Sequence, residues 1–165
     1  MKFFQAVNEL LCKVKTKAET LAEFEAYIKE SLGKQINGGQ CVGLYRHHIA
    51  EWWKLPNLEG LGATEGAHGL YNRYETDVGP LSRRYLERIT YTQGSPDRPC
   101  IGDAVVLGPT DGNRHGHVGM FAGVTVCGMI ILFDQNGLAQ PEENRVARLS
   151  TWPMANVLGW LRKRE

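Results

Sequence analysis

The apolar residues change period partway along this chain, and that change restricts the folds open to it. Up to residue 54 they recur every three or four positions; from residue 89 they come in short runs bounded by turn residues. Phe4, Val7, Leu11, Val14, Ala18 and Leu21 form one stripe, which predicts helix within residues 1–33, with Gly33 as its stop. Thr16-Lys17-Ala18-Glu19 reads as a capping box, so two helices are expected to meet near Thr16. A further helix is predicted from Cys41 to about Lys54 on the spacing of Val42, Tyr45, Ile49, Trp52 and Trp53, and Pro56 ends it. The glycine-rich, polar stretch 56–80 predicts a long loop with a short helix around 67–74.

Strands are predicted at 89–91, 103–107, 117–126, 129–133, 145–149 and 157–161, with Cys127-Gly128 as a hairpin turn. Helices followed by antiparallel strands make an α+β domain in which N-terminal helices pack against an antiparallel sheet. The expected organisation is a helical extension, 1–33, followed by one domain, 34–165.

A chain of 165 residues with 42% hydrophobic and 22% charged residues can bury a core without staples. A net charge of +1, with no basic stripe before Arg162-Lys163-Arg164, gives no electrostatic basis for nucleic-acid binding. No run reaches the roughly 18 apolar residues that a bilayer requires. Glu9 interrupts the first apolar residues and no small-residue cleavage site follows, so neither a signal peptide nor membrane insertion is expected. Cys12, Cys41, Cys100 and Cys127 are far apart and form no CxxC pair. Zinc spacing and a disulfide framework are therefore not expected, and reduced thiols of a protein made in a cytoplasm are. A monomer is the expected state.

One cysteine has a distinctive setting. Cys41 follows Asn37-Gly38-Gly39-Gln40 and opens the second predicted helical region, where free N–H groups and the positive end of the helix dipole stabilise a thiolate. A thiolate nucleophile needs a base, and His117 stands at the start of a predicted strand after Gly116, which gives access to it. The base needs an orienting partner. The next strand ends in Asp134-Gln135-Asn136, where alternation puts Asp134 and Asn136 on one face and leaves open which of them meets His117. An oxyanion would take the Cys41 N–H and a side-chain amide, from Gln40 or from Gln35.

Competing uses of the remaining candidates are also visible. Trp53, with Trp52, offers an aromatic wall for a glycan groove, against the commoner use of such rings in a core. His115 and His117 at i, i+2 lack a third ligand at metal spacing, so no metal site is expected. His47 and His48 are expected at the surface, and Asp103 is expected to open its strand. Calcium stays open, because Asp and Asn side chains near Asn37 or in 56–80 show no EF-hand spacing.

The ordered set Gln40-Cys41-Val42, Gly102-Asp103-Ala104-Val105-Val106, Gly116-His117-Val118-Gly119 and Asp134-Gln135-Asn136-Gly137 resembles the CHAP family, the cysteine, histidine-dependent amidohydrolases/peptidases. Val157-Leu158-Gly159-Trp160-Leu161-Arg162 is similar to that family's last strand, and the resemblance spans roughly 35–162. It implies a papain-like fold of the NlpC/P60-CHAP type and hydrolysis of an amide bond in bacterial cell-wall peptides, by an amidase or an endopeptidase. Cys41 matches the nucleophile, His117 the base, Asp134 the acidic third member and Asn136 a further polar residue of the site. The family commonly has aspartate two residues after the cysteine, where this chain has Gly43. The resemblance implies a phage endolysin, made in the host cytoplasm and acting on peptidoglycan after release. A tail-associated or toxin-effector enzyme of the same chemistry, and a non-catalytic wall-binding module, are the alternatives.

Overall fold

The structure, a computed structural model, describes residues 17–56, 66–75, 83–137 and 141–164. It is an α+β fold in which helices pack against a six-stranded antiparallel sheet. Helix α1 (Lys17–Ser31) buries Phe24, Tyr27, Ile28 and Ser31, a single face at helical spacing. Leu21, expected in that stripe, is 41% exposed. Phe4, Val7, Leu11, Val14 and Thr16 lie outside the described residues.

Helix α2 (Cys41–Glu51) buries Gly43, Leu44, Tyr45, His48 and Ile49. It ends before Lys54, three residues short of the expected stop, where Trp52 and Trp53 N–H both bond the His48 carbonyl. Helix α3 (Gly69–Asn72) lies within the short helix expected at 67–74.

The strands are β1 (Leu86–Thr90), β2 (Ala104–Leu107), β3 (His117–Val124), β4 (Ile130–Asp134), β5 (Arg148–Trp152) and β6 (Val157–Lys163), ordered β1-β6-β2-β3-β4-β5. The sheet has a core on each face. Ala104, Val106, Val118, Met120, Phe133 and Leu161 meet the helices, while Val105, Leu107, Leu132 and Trp160 pack on the opposite side. This is the period-two alternation of a sheet covered on both faces. The β3–β4 hairpin turns at Thr125–Gly128, with Gly128 N–H on the Thr125 carbonyl at 3.0 Å.

Two expectations are corrected. His48 is fully buried, and its Nε2–H donates to the Gly102 carbonyl at 2.8 Å. Burial pushes its pKa down to about 3, so the ring is neutral and ties α2 to the start of β2. Asp103 stands at the entry of β2, as expected, and is buried; its carboxylate accepts the Cys100 N–H at 2.8 Å and pairs with Arg162 at 2.7 Å, joining the start of β2 to β6. Cys100 is disulfide-bonded, where reduced thiols were expected, and Cys41 and Cys127 are the free cysteines among the described residues. No described helix is long and apolar enough to cross a membrane.

Candidate active site

The first turn of α2 sets the position of the thiol. Gln40 precedes the helix in extended conformation (φ −93°, ψ 150°), so Cys41 is the first helical residue, and Gly38 and Gly39 bend the chain with positive φ. Gly43 must be glycine, since a Cβ there would stand 2.4 Å from the Asn37 carbonyl oxygen, and Asn37 Nδ2 donates to the Gly43 carbonyl at 3.2 Å. The tight turn before the helix therefore leaves no room for an aspartate at that place.

His117 opens β3 and is 2% exposed. Gly116 (φ 65°) brings the chain in, and a Cβ there would lie 2.5 Å from the Leu107 carbonyl oxygen. His117 Nε2 bonds Asp134 Oδ2 at 3.0 Å. The register explains which acid it meets. Met120 pairs with Phe133, so continuing the ladder would place Asp134 opposite Gly119 and Asn136 opposite His117. But β4 stops at Asp134, and Asn136 turns away with φ 56°. Asp134 reaches His117 along the diagonal, across Gly119, where a Cβ would come within 3.0 Å of the Asp134 Cβ.

Asp134 is completely buried and well supplied with donors. Trp152 Nε1–H donates to Oδ2 at 2.8 Å, Ser150 Oγ–H donates to the same oxygen, and Arg148 Nε lies 4.0 Å from Oδ1. The Trp152 ring stacks on His117 with centroids 4.9 Å apart. Gly137 closes over the pair; a Cβ there would lie 2.6 Å from the Trp152 ring and 3.2 Å from His117 Nε2. Ser150 and Trp152 were not among the residues singled out from the sequence, and Gly137 was quoted there only as the end of the Asp134-Gln135-Asn136-Gly137 motif. Ser150 and Trp152 fell beyond the strand predicted at 145–149, which the structure moves to Arg148–Trp152.

Nε2 is taken by Asp134, while Nδ1 is buried without a hydrogen-bond partner among the described residues, and Cys41 and His117 act on each other's protonation. Burial opposes both charges. Against it, the interaction with His117, with the backbone N–H groups of Val118 and Val42, lowers the Cys41 pKa below its ordinary value. Burial likewise opposes imidazolium, but the Asp134 hydrogen bond and the Cys41 interaction raise His117 to about 9. Both shifts favour a Cys41 thiolate beside a His117 imidazolium over the neutral pair.

The other candidates separate. Gln40 lies at the cleft with Cys41, His117, Gly116 and Asn136. Asn136 Nδ2 donates to Gln40 Oε1 at 2.9 Å, which turns the Gln40 amide nitrogen free. Gln35 is drawn elsewhere, its Nε2–H donating to the Glu142 carbonyl at 3.0 Å. Trp53 is 3% exposed in the core, edge-on to Tyr45 and beside His48, and does not line the cleft. Gln135 has a position that alternation alone does not reveal. It is fully buried, its Oε1 accepts Ile36 N–H at 2.9 Å, and its Nε2 donates to the Ile36 and Gln40 carbonyls at 2.8 and 2.9 Å. No cluster of three or more metal-ligating side chains occurs among the described residues.

No protein-family model and no curated protein matches this sequence. Among solved structures the chain is similar to the wild-type endolysin LysIME-EF1, at a TM-score of 0.59 and 20% identity over 90% of this chain and 64% of that one. It is also similar to Ly7917 with the hydrolyzing product of MDP, at a TM-score of 0.51 and 18% identity, covering 90% and 63%. A second structure of Ly7917 gives a TM-score of 0.52 at the same identity. The chain thus spans 63–64% of the length of these neighbours, and at these identities the likeness is one of fold.

Proposed function

We propose that this protein hydrolyses an amide bond in the peptides of bacterial peptidoglycan through Cys41, His117 and Asp134. The observation that carries the reading is the buried His117–Asp134 bond beside a thiol at a helix start, a thiol whose pKa is lowered by that same imidazolium. The fold likeness to an endolysin, and to a protein solved with the hydrolyzing product of MDP, supports wall peptides as the substrate class.

The Cys41 thiolate attacks the scissile carbonyl carbon, and the negative charge moves to the carbonyl oxygen. The Cys41 N–H and the Gln40 side-chain amide receive that oxyanion; a first-turn N–H has no helical acceptor of its own. His117 gives its Nδ1 proton to the departing nitrogen as the C–N bond breaks, leaving a thioester on Cys41. The neutral imidazole then takes a proton from water, whose oxygen attacks the thioester and releases the acid. Asp134 holds the ring in orientation and stabilises its charge, as the acid of a catalytic triad does. Asn136 acts as a positioning residue through Gln40.

The test is mass spectrometry of fragments released from purified peptidoglycan by wild type and by Cys41→Ala under reducing conditions, with and without calcium. Release by the wild type alone is expected, and the new termini identify an amidase or an endopeptidase cut. Equal release by Cys41→Ala, or none by either protein, sinks the proposal.

A further inference from the structure

The cleft beside Cys41 holds a cation that the reaction does not use. It encloses about 340 Å³, and none of the described residues lining it carries a carboxylate. Arg114 stands on its wall and is exposed. Its Nε–H makes a long contact, 3.4 Å, with His115 Nε2, and its two terminal NH₂ groups make no hydrogen bond or ion pair with the described residues. The backbone that carries Arg114 belongs to a braced loop.

The bracing comes from Asn113 and from the segment packed behind it. Thr110 and Asn113 exchange backbone hydrogen bonds at 3.0 Å each, Asn113 Nδ2 donates to the Gly116 carbonyl at 2.8 Å, and Asn113 Oδ1 accepts the His115 N–H at 3.1 Å. From the other side, His68 donates its backbone N–H and its Nδ1–H to the His115 carbonyl at 3.2 and 3.1 Å. The base of Arg114 is thereby fixed three residues before His117, and its exposed side chain lines the same cleft as Cys41 and His117.

We propose that Arg114 forms a carboxylate subsite, and that the substrate is a peptide with a free carboxylate close to the scissile amide. A guanidinium is charged at every accessible pH and presents paired N–H donors that match a carboxylate's two oxygens. Wall peptides carry such groups, so the inference rests on the hydrolase reading and narrows it: the enzyme prefers free-acid wall peptides to their amidated forms.

Binding is measured separately from cleavage, so that the two readings fail independently. Muropeptides from purified wall, with carboxylates free or converted to amides, are titrated into the Cys41→Ala protein by calorimetry. The acid form is expected to bind at least about tenfold more tightly. In the Cys41→Ala, Arg114→Ala double variant the two forms bind alike, and Arg114→Lys keeps part of the preference. With Cys41 intact, Arg114→Ala raises KM for the acid form and leaves kcat within about twofold. Equal binding of acid and amide by Cys41→Ala, no binding of either, or a preference that survives Arg114→Ala overturns the subsite. A wild type that cleaves neither form sinks the hydrolase reading, while the binding ratio still decides the subsite.

Discussion

Asp134 and Gln135 are adjacent at the end of β4, yet they hold opposite halves of the site. Asp134 faces one side of the sheet and binds His117 Nε2. Gln135 faces the other and clamps Ile36 and the Gln40 carbonyl, the segment that delivers Cys41. One strand end therefore fixes the spacing between His117 and the segment that carries Cys41. Strand alternation makes this possible, because neighbouring side chains must point to opposite faces.

Gln135→Leu should uncouple the two halves. It leaves the half-buried Ile36 N–H without its partner and removes one of two donors from the Ile36 and Gln40 carbonyls, which keep the Gly39 and Leu44 N–H groups, at a cost of about 1–3 kcal/mol of stability. Urea unfolding measures that loss. The rate of iodoacetamide alkylation of Cys41 should fall at neutral pH, since a thiol displaced from His117 loses its thiolate character. A destabilised protein with unchanged alkylation would confine Gln135 to a structural role.

Trp152→Phe separates two contributions of one residue. Phenylalanine keeps a ring over His117 but loses the Nε1–H that donates to Asp134 and, at 2.7 Å, to Ser150. A fall in kcat of roughly threefold to thirtyfold is expected, in the range of one charge-assisted hydrogen bond, with KM little changed. Steady-state kinetics on wall fragments decides it, and an unaltered kcat would assign Trp152 to packing alone.

Much of the sheet was legible because its strands are short apolar runs between turns, and the hairpin at Cys127-Gly128 put the strands of His117 and Asp134 side by side. The choice between Asp134 and Asn136 was not legible. It depends on where β4 stops and on a diagonal contact across Gly119, neither of which the local pattern encodes. β5 was misplaced because its residues alternate only between exposed and half-buried, a weak signal, and Ser150 and Trp152 were missed with it. His48 was read as a surface residue because the carbonyl that satisfies it, on Gly102, is 54 residues away. The two glutamines were equivalent until their partners were seen, Glu142 for Gln35 and Asn136 for Gln40.

Gly43→Asp would introduce the residue that the CHAP pattern commonly carries, and it should damage this protein. The new Cβ meets the Asn37 carbonyl at 2.4 Å, in the turn that sets the start of α2. Overpacking of this kind costs about 1–3 kcal/mol, and here it also disturbs the cysteine's position. A lower Tm and slower Cys41 alkylation are expected together. A variant as stable as wild type would mean that the turn before α2 yields easily.

The pH profile of kcat/KM follows from the coupled pair. The active form needs Cys41 as thiolate and His117 as imidazolium. On the acid side the rate rises as Cys41 loses its proton, and because its pKa is lowered this limb lies below the ordinary thiol range. On the alkaline side the rate falls as His117 loses its proton, at about pH 9. The profile is thus a bell with a broad top, whose limbs report the pair and not two independent residues. Asp134 raises the His117 pKa, so Asp134→Asn must draw the alkaline limb down toward the ordinary imidazole value and lower the maximum by about 10²-fold or more, as the ring loses its orienting charge. The same linkage has a sign for stability. His117 is protonated more readily in the folded chain than in the unfolded one, so the Asp134–His117 interaction contributes fully below about pH 6.5 and is lost as pH rises through about 9. Asp134→Asn should therefore cost more stability at pH 6 than at pH 10. An alkaline limb that stays at about pH 9 in Asp134→Asn would show that another group sets it.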